Sequence, residues 1–444
     1  MPDAPRYRSI PSLSTPVTST GTKLVSALFS ATLALTLITG LACPATGQTP
    51  GWLWSASTEP RRAILTGAAP HGWSFLINSS VSPNLESPPE PFVPSDADFR
   101  GWYRPPVPPA APSLWLTDGS HLTGQIQEID DQTVAVQTPL LGRVTFARAE
   151  LHAVELQGPL GAAADRAVRS AELSRLPLNA SPATLWLANG DQLPADLVRM
   201  TADHLECTHR GETFQLERTA VAAWRRSRPT EVQENGPGNL RVTLADGSQL
   251  TVRQITSQDD YRLVLQRPDG SDWPATSFSN PWWDDLVTGI EPIARVLRLS
   301  DRPELNYRQQ SLLGPSIPLQ RNLSAARTPL SVAGAYFADG LGARSLSRLT
   351  LAVEPSWQAF QALVGVDDSG GESGSVVFRV LTYSDRDGWR ERATTETVRH
   401  GDAPVPIHVS LLGAQRLALV VDPADDGDSG DLANWLMARI VLPN

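Results

Sequence analysis

The sequence predicts an all-β protein, an antiparallel β-sandwich at the C-terminal end preceded by repeated small β-barrel or hairpin units. Three observations predict it. From about Ala294 onward, apolar and polar residues alternate with a period of two, the mark of strands with one buried face. Upstream, the pattern Leu-x-[Asp/Asn]-Gly-x-x-Leu occurs three times. The 444 residues also include 38 prolines and 32 glycines, which fit a chain of many short strands and turns.

The N-terminal segment, residues 1–45, carries an address. Residues 24–42, LVSALFSATLALTLITGLA, are uncharged and apolar, with Lys23, Arg6 and Arg8 upstream and small residues after. That is the layout of a signal peptide. An uncleaved anchor helix and a lipoprotein site at Cys43 are the alternatives, and Gly40 stands where a lipoprotein signal usually has leucine. All three place the remainder outside the cytoplasm, in contact with a membrane only through this segment if it is retained.

Residues 46–112 are rich in proline and small residues, as in ESPPEPFVPSD and RPPVPPAAPS, and read as an extended spacer. Trp52, Trp54, Trp73 and Trp102 are unusual in a spacer and read as a strip that packs on a neighbouring domain.

The repeats follow at LTDGSHL (Leu116–Leu122), LANGDQL (Leu187–Leu193) and LADGSQL (Leu244–Leu250). Asp-Gly and Asn-Gly favour the positive φ of a type I′ hairpin, and further short strands follow each one. The three units are bounded at 113–158, 183–226 and 238–290, with a linking helix expected over Ala162–Leu176. Such an array serves as a spacer or as a contact surface for a protein partner.

Residues 294–444 carry the sandwich. Its stripes are Leu349, Leu351 and Val353; Phe360 to Val366; Val376, Phe378 and Val380; Val405 to Leu411; and Leu417, Leu419 and Val421. His408 lies out of phase with its stripe.

Composition excludes several classes. A net charge of −10 argues against nucleic-acid binding. Only Cys43 and Cys207 are present, so neither a disulfide framework nor a cysteine-based zinc site can form. Cys207, between His204 and His209, reads as a small buried hydrophobe. Lys23 is the last lysine, so lysine chemistry is absent from all that follows. There is no HExxH, P-loop or GxSxG.

Gly427-Asp428-Ser429-Gly430 spells the nucleophile motif of chymotrypsin-like proteases. A serine nucleophile needs a histidine base, and none of the seven histidines has the Thr-Ala-Ala-His-Cys context. Asp422, Asp425, Asp426, Asp428 and Asp431 crowd Ser429 and would oppose a developing oxyanion. No catalytic residue is assigned.

The same third of the chain resembles the NPCBM family of carbohydrate-binding modules. The matching stretches are Arg298–Asp301, Phe337-Ala338-Asp339-Gly340-Leu341-Gly342-Ala343-Arg344-Ser345, Phe360–Asp368, Gly374–Phe378 and Asp431-Leu432-Ala433-Asn434-Trp435. Asp339 replaces a lysine common in the family, and Leu432 replaces a histidine. The resemblance implies a galactose-binding-like jelly roll attached to secreted bacterial proteins.

Sugars are held by carboxylates and amides together with an aromatic that stacks on the apolar sugar face. The expected carbohydrate-binding residues are Asp367, Asp368, Trp389, Asp431 and Asn434, with Trp357 a second stacking candidate and Trp435 a core residue. Asp422, Asp425, Asp426 and Asp428 offer hard oxygen ligands for calcium, without EF-hand spacing. The reading is a non-enzymatic, exported protein whose sandwich binds a glycan or polysaccharide, such as galactose-type glycans, on a cell surface or matrix. The alternatives are a structural envelope or adhesion protein without sugar affinity and a glycoside hydrolase accessory protein.

Overall fold

The computed structural model describes residues 50–444 apart from 70–71, 78–89, 96, 106–112, 157–172, 174–181, 228–237, 258–262, 274–285, 312–314 and 426. The N-terminal address segment therefore lies outside the described residues. So does the expected linking helix, save Leu173. Among the described residues no helix is long and apolar enough to cross a membrane.

Residues 113–155 and 184–225 form two copies of one unit. Strands Ser113–Leu116, Gln125–Ile129, Thr133–Thr138, Gly142–Ala147 and Leu151–Glu155 recur as Thr184–Leu187, Asp196–Met200, His204–His209, Glu212–Glu217 and Val221–Arg225. A 3₁₀ turn, Arg148–Glu150 or Arg218–Ala220, precedes each closing strand. Residues 240–292 are a further copy, opening with Leu240–Leu244 and closing with Val287–Pro292.

The Asp-Gly turns differ from the type I′ expectation. Gly119, Gly190 and Gly247 have φ of 84°, 94° and 86°, whereas the preceding Asp118, Asn189 and Asp246 are not left-handed. Each glycine N–H bonds back to the leucine three residues earlier, as Gly119 does to Leu116 at 3.2 Å. These are type I turns closed by a left-handed glycine. The side chain before each glycine accepts the N–H of the residue after it, Asp118 from Ser120 at 2.8 Å. The polar residue thus caps the turn, and only the glycine must be left-handed.

The expected spacer is itself built of strands: Gly51–Ser55, Arg61–Ala69, Gly72–Ile77, Glu90–Phe92 and Phe99–Tyr103. Its first and last strands pair in the register of the other copies. Leu53 faces Trp102 and Trp54 faces Gly101, then a bulge brings Ser55 opposite Phe99. Leu114–Val154, Leu185–Trp224 and Val242–Ile290 repeat the first pairing, each followed by the same bulge. A small residue on the closing strand, Gly101, Ala153, Ala223 or Gly289, faces Trp54, Trp115, Trp186 or Thr243. The indoles of Trp102 and Trp224 donate to equivalent carbonyls, Ala63 and Ala195, both at 3.1 Å. Residues 51–103 are therefore a fourth copy. Of its described prolines, Pro60 and Pro94 fall between strands and Pro91 lies in Glu90–Phe92, the outermost strand of its sheet, where proline is tolerated.

The copies join through local two-fold pairings into one 14-stranded antiparallel sheet. The closing strands of the 113–155 and 184–225 copies pair reciprocally, Ala153 with Arg225 and Glu155 with Ala223. The closing strands of the 51–103 and 240–292 copies also meet, Gly289 facing Tyr103. Between the 113–155 and 240–292 copies the bonds are reciprocal. Thr123 N–H donates to Ser248 Oγ at 3.0 Å and Thr251 N–H to Ser120 Oγ at 2.9 Å.

The C-terminal sandwich has two antiparallel sheets. One runs Gln320–Arg321, Gly340–Arg344, Leu432–Val441, Ala359–Val366 and Val405–Ser410, with Val296–Arg298 added to Leu432–Val441. The other runs Asn306–Gln309, Ser347–Ala352, Arg416–Pro423, Ser375–Ser384 and Gly388–Thr394, with Val398–Arg399 added to Ser375–Ser384. The stripes read from the sequence fill the space between them. Trp435 packs edge-on to Phe378 with ring centroids 5.1 Å apart.

The outer face of the first sheet is covered. Trp52, Trp54 and Tyr103 pack with Leu330, Val332, Phe337, Leu363, Leu436 and Met437. A bulge in the pairing of Ala359–Val366 with Leu432–Val441, near the left-handed Met437 (φ 51°), lets both Leu436 and Met437 join that cluster. The tryptophans of the supposed spacer thus cover a sheet face. Beside them Glu291 meets Arg241 at 2.7 Å, Arg298 at 3.1 Å and Arg439 at 3.2 Å.

Candidate functional site

The five expected sugar-binding residues fall into two places. Asp367, at the end of strand Ala359–Val366, is fully buried. Its carboxylate accepts from Ser331 N–H at 3.1 Å, Ser369 N–H at 3.0 Å and Asn434 Nδ2 at 2.6 Å, and from the Ser369 hydroxyl. Asn434 is equally buried. Asp368 accepts from Gly334 N–H at 3.0 Å, and buried Asp431 accepts from Ser375 N–H at 2.9 Å. The three aspartates accept from loop backbone N–H groups at one end of the sandwich while Asn434 donates to Asp367, and Asp367, Asp431 and Asn434 are closed to solvent. A buried carboxylate needs such donors to offset lost hydration.

The Gly-Asp-Ser-Gly motif belongs to that end. A Cβ at Gly370 or Gly374 would stand 2.4 or 2.5 Å from the Gly430 carbonyl, so the glycines allow two loops to touch. Among the described residues no histidine is hydrogen-bonded to Ser429.

The acidic loop is divided among arginines. Asp422 meets Arg379 at 3.0 Å, Asp425 pairs with Arg399, and Asp428 lies 3.9 Å from Arg344. Asp426 lies outside the described residues. Among the described residues no group of three or more His, Cys, Asp or Glu could hold a metal ion.

Trp389 stands apart. It faces Tyr383 across the hairpin of Ser375–Ser384 and Gly388–Thr394. Ser375, which contacts Asp431, and Tyr383 lie at opposite ends of one strand, about 26 Å apart at ~3.3 Å per residue. Trp389 is 36% exposed, while Trp357 is 3% exposed and lies in the sandwich core. Trp357 is thus not a stacking residue.

Around Trp389 the outer face of the second sheet forms a platform. The Tyr383 ring lies 5.4 Å from it, centroid to centroid. The Arg348 guanidinium sits 4.2 Å from the Trp389 ring centre, and that of Arg416 sits 5.5 Å from the Tyr383 ring centre. Asp385 accepts from the Tyr383 hydroxyl at 3.3 Å and from Gln415 Nε2 at 2.8 Å, giving the platform a polar rim. Exposed aromatic surface bordered by planar hydrogen-bonding groups can hold the apolar face and the hydroxyls of a sugar. Sequence reading found Trp389 but not Tyr383, Arg348 or Arg416. The Asp387-Gly388 turn could have placed Tyr383 opposite Trp389. The two arginines come from strands whose order is not local information.

Several solved structures are similar in part. The CBM51-2 and INT domains from Clostridium perfringens ZmpB are 23% identical over 34% of this chain and 32% of that one, with a TM-score of 0.30. The chain thus spans about a third of that protein's length. CBM51 from Clostridium perfringens GH95, in complex with methyl-galactose, is 19% identical over 33% of this chain and 99% of that one, with a TM-score of 0.29. The tandem CBM51 modules of a family 98 glycoside hydrolase from Streptococcus pneumoniae are 10% identical over 59% of this chain and 88% of theirs, with a TM-score of 0.29. No curated protein matches the chain. The family match is confined to the sandwich: residues 296–441 match the NPCBM/NEW2 domain.

Proposed function

We propose that this chain is an exported, non-enzymatic carbohydrate-binding protein that holds a glycan on the Trp389 face of its C-terminal sandwich. The observation that carries the reading is the exposed Trp389 on the outer face of the second sheet, within a domain that matches NPCBM/NEW2. The first sheet cannot serve in the same way, because Trp52 and Trp54 cover it. The four β copies act as a rigid mount. Export rests on the apolar segment 24–42 and its basic flank. Asp367, Asp368, Asp431 and Asn434 take the role of shaping loops rather than touching sugar.

Burial of those loop acceptors favours one second reading, a structural envelope protein without sugar affinity. A glycan-array screen of residues 49–444 separates the two. Residues 294–444 alone would expose the surface that Trp52 and Trp54 cover. Selective binding that falls at least about tenfold in Trp389→Ala supports the proposal. A silent array from folded protein supports the structural role.

A further inference from the structure

We propose that the ligand of the Trp389 face is an anionic polysaccharide, one bearing carboxylate or sulfate groups; this rests on the glycan-binding reading above. The argument is one of uncompensated charge. Arg348 and Arg416 lie over Trp389 and Tyr383, and among the described residues neither has a carboxylate within ion-pair distance. Their neighbour Arg379 is held between Glu391 at 2.6 Å and Asp422 at 3.0 Å. The sheet therefore compensates one arginine of this face and leaves the two on the aromatic rings open.

A third arginine strengthens the case. Arg308 is directly opposite Arg348 on the neighbouring strand and is exposed. Like charges facing each other across strands are unfavourable, and an anion lying between them removes the penalty. Arginine presents a planar fork that matches carboxylate and sulfate oxygens. The rest of the chain carries net negative charge, so such a ligand would be repelled elsewhere and directed to this face. From Asn306–Gln309 to Gly388–Thr394 the face crosses five strands, about 19 Å at ~4.8 Å per strand interval, which suits an extended chain better than a single sugar.

The test uses the full chain and matched polymers: dextran sulfate against dextran, and polygalacturonate against neutral galactan. The proposal expects at least one charged polymer to bind about tenfold or more tightly than its neutral counterpart. The double variant Arg308→Gln, Arg348→Gln should remove most of that preference, weakening the charged polymer more than the neutral one. Arg308→Gln alone, away from the aromatic rings, should lower the charged polymer's affinity with neutral binding unchanged. Trp389→Ala should weaken charged and neutral polymers alike. Equal affinity for charged and neutral polymers overturns the anionic proposal and leaves the glycan-binding reading standing. Charged-polymer binding undiminished in these variants overturns it too, because the attraction then lies elsewhere. No binding to any polymer, with the native near-ultraviolet dichroism retained, overturns both. A sulfate-only or carboxylate-only preference supports the proposal and identifies the source of the charge.

Discussion

The sandwich has an arginine over a tryptophan on each of its two outer faces, and the two pairs have opposite fates. On the first sheet Arg439 lies 4.2 Å from the ring centre of Trp54. On the second, Arg348 lies 4.2 Å from the ring centre of Trp389. The contact is the same, but the surroundings differ. Arg439 and Trp54 are buried, and Glu291 supplies the counter-charge at 3.2 Å. Trp389 is open, and Arg348 has no carboxylate partner among the described residues. A cation–π pair that is buried must have its charge satisfied within the protein. One at the surface can leave that charge for a ligand. Counter-charge and cover, rather than the pair itself, separate the structural face from the candidate binding face.

The sharpest way to break this comparison is to remove the buried counter-charge. Glu291→Gln leaves Arg241, Arg298 and Arg439 facing one another without it, and should cost about 3–5 kcal/mol in urea denaturation. A loss below about 1 kcal/mol would show that Glu291 does not neutralise this face. Trp54→Ala should cost about 3 kcal/mol, because it opens a cavity under a covered sheet. It should also raise dye binding to exposed apolar surface. An unchanged melting curve would mean that the covering contact contributes nothing.

Acid sharpens the same contrast. Burial opposes ionisation of Glu291, but Arg298, Arg439 and Arg241 outweigh it and hold the carboxyl down at about 2. Its pKa is lower folded than unfolded, so its stabilisation is complete above the usual carboxylate range. That stabilisation is lost as pH falls from about 4.5 towards 2. Asp339 works in the other sense: burial pushes its carboxyl up despite Arg298, so its contribution is full in acid and declines as pH rises through that raised value. Denaturation midpoints measured between pH 5 and pH 2.5 (roughly the window in which a carboxylate of this kind titrates) should fall more steeply for the wild type than for Glu291→Gln. Parallel curves would remove Glu291 from the account of acid sensitivity.

The smallest effect on stability belongs to the open face. Trp389→Ala should change stability by no more than about 1 kcal/mol while weakening glycan binding. A large loss of stability would make Trp389 a structural residue like Trp54 and erase the distinction.

Much of this architecture was legible in the sequence. The Asp-Gly and Asn-Gly turns marked three of the four β copies, because a left-handed glycine after a polar cap is a local requirement. The stripes from Leu349 to Val421 all point into the sandwich core, since a strand with one buried face must alternate. The copy at 51–103 escaped notice because it has no such turn before its second strand, and its prolines resemble a linker. Its kinship appears only in register, where Leu53 meets Trp102 as Leu114 meets Val154. Asp367 and Asn434 read in the sequence as sugar-binding loop residues, whereas Asn434 stands in strand Leu432–Val441 and donates to the buried carboxylate of Asp367. A carboxylate in a loop reads the same whether it caps backbone N–H groups or faces solvent.

By itself, then, the sequence determined strand periodicity, turn positions, the acidic balance and the family resemblance of the last third, all of which depend on residues within a few positions of one another. Tertiary structure alone decided which tryptophans are covered, which arginines have counter-charges, and that Trp389 lies an entire strand length from Asp431. Burial and charge compensation come from partners far apart in the chain: Trp54 with Arg439, Glu291 with Arg241, and Arg348 with Trp389. No local pattern encodes those meetings; strand order and register create them.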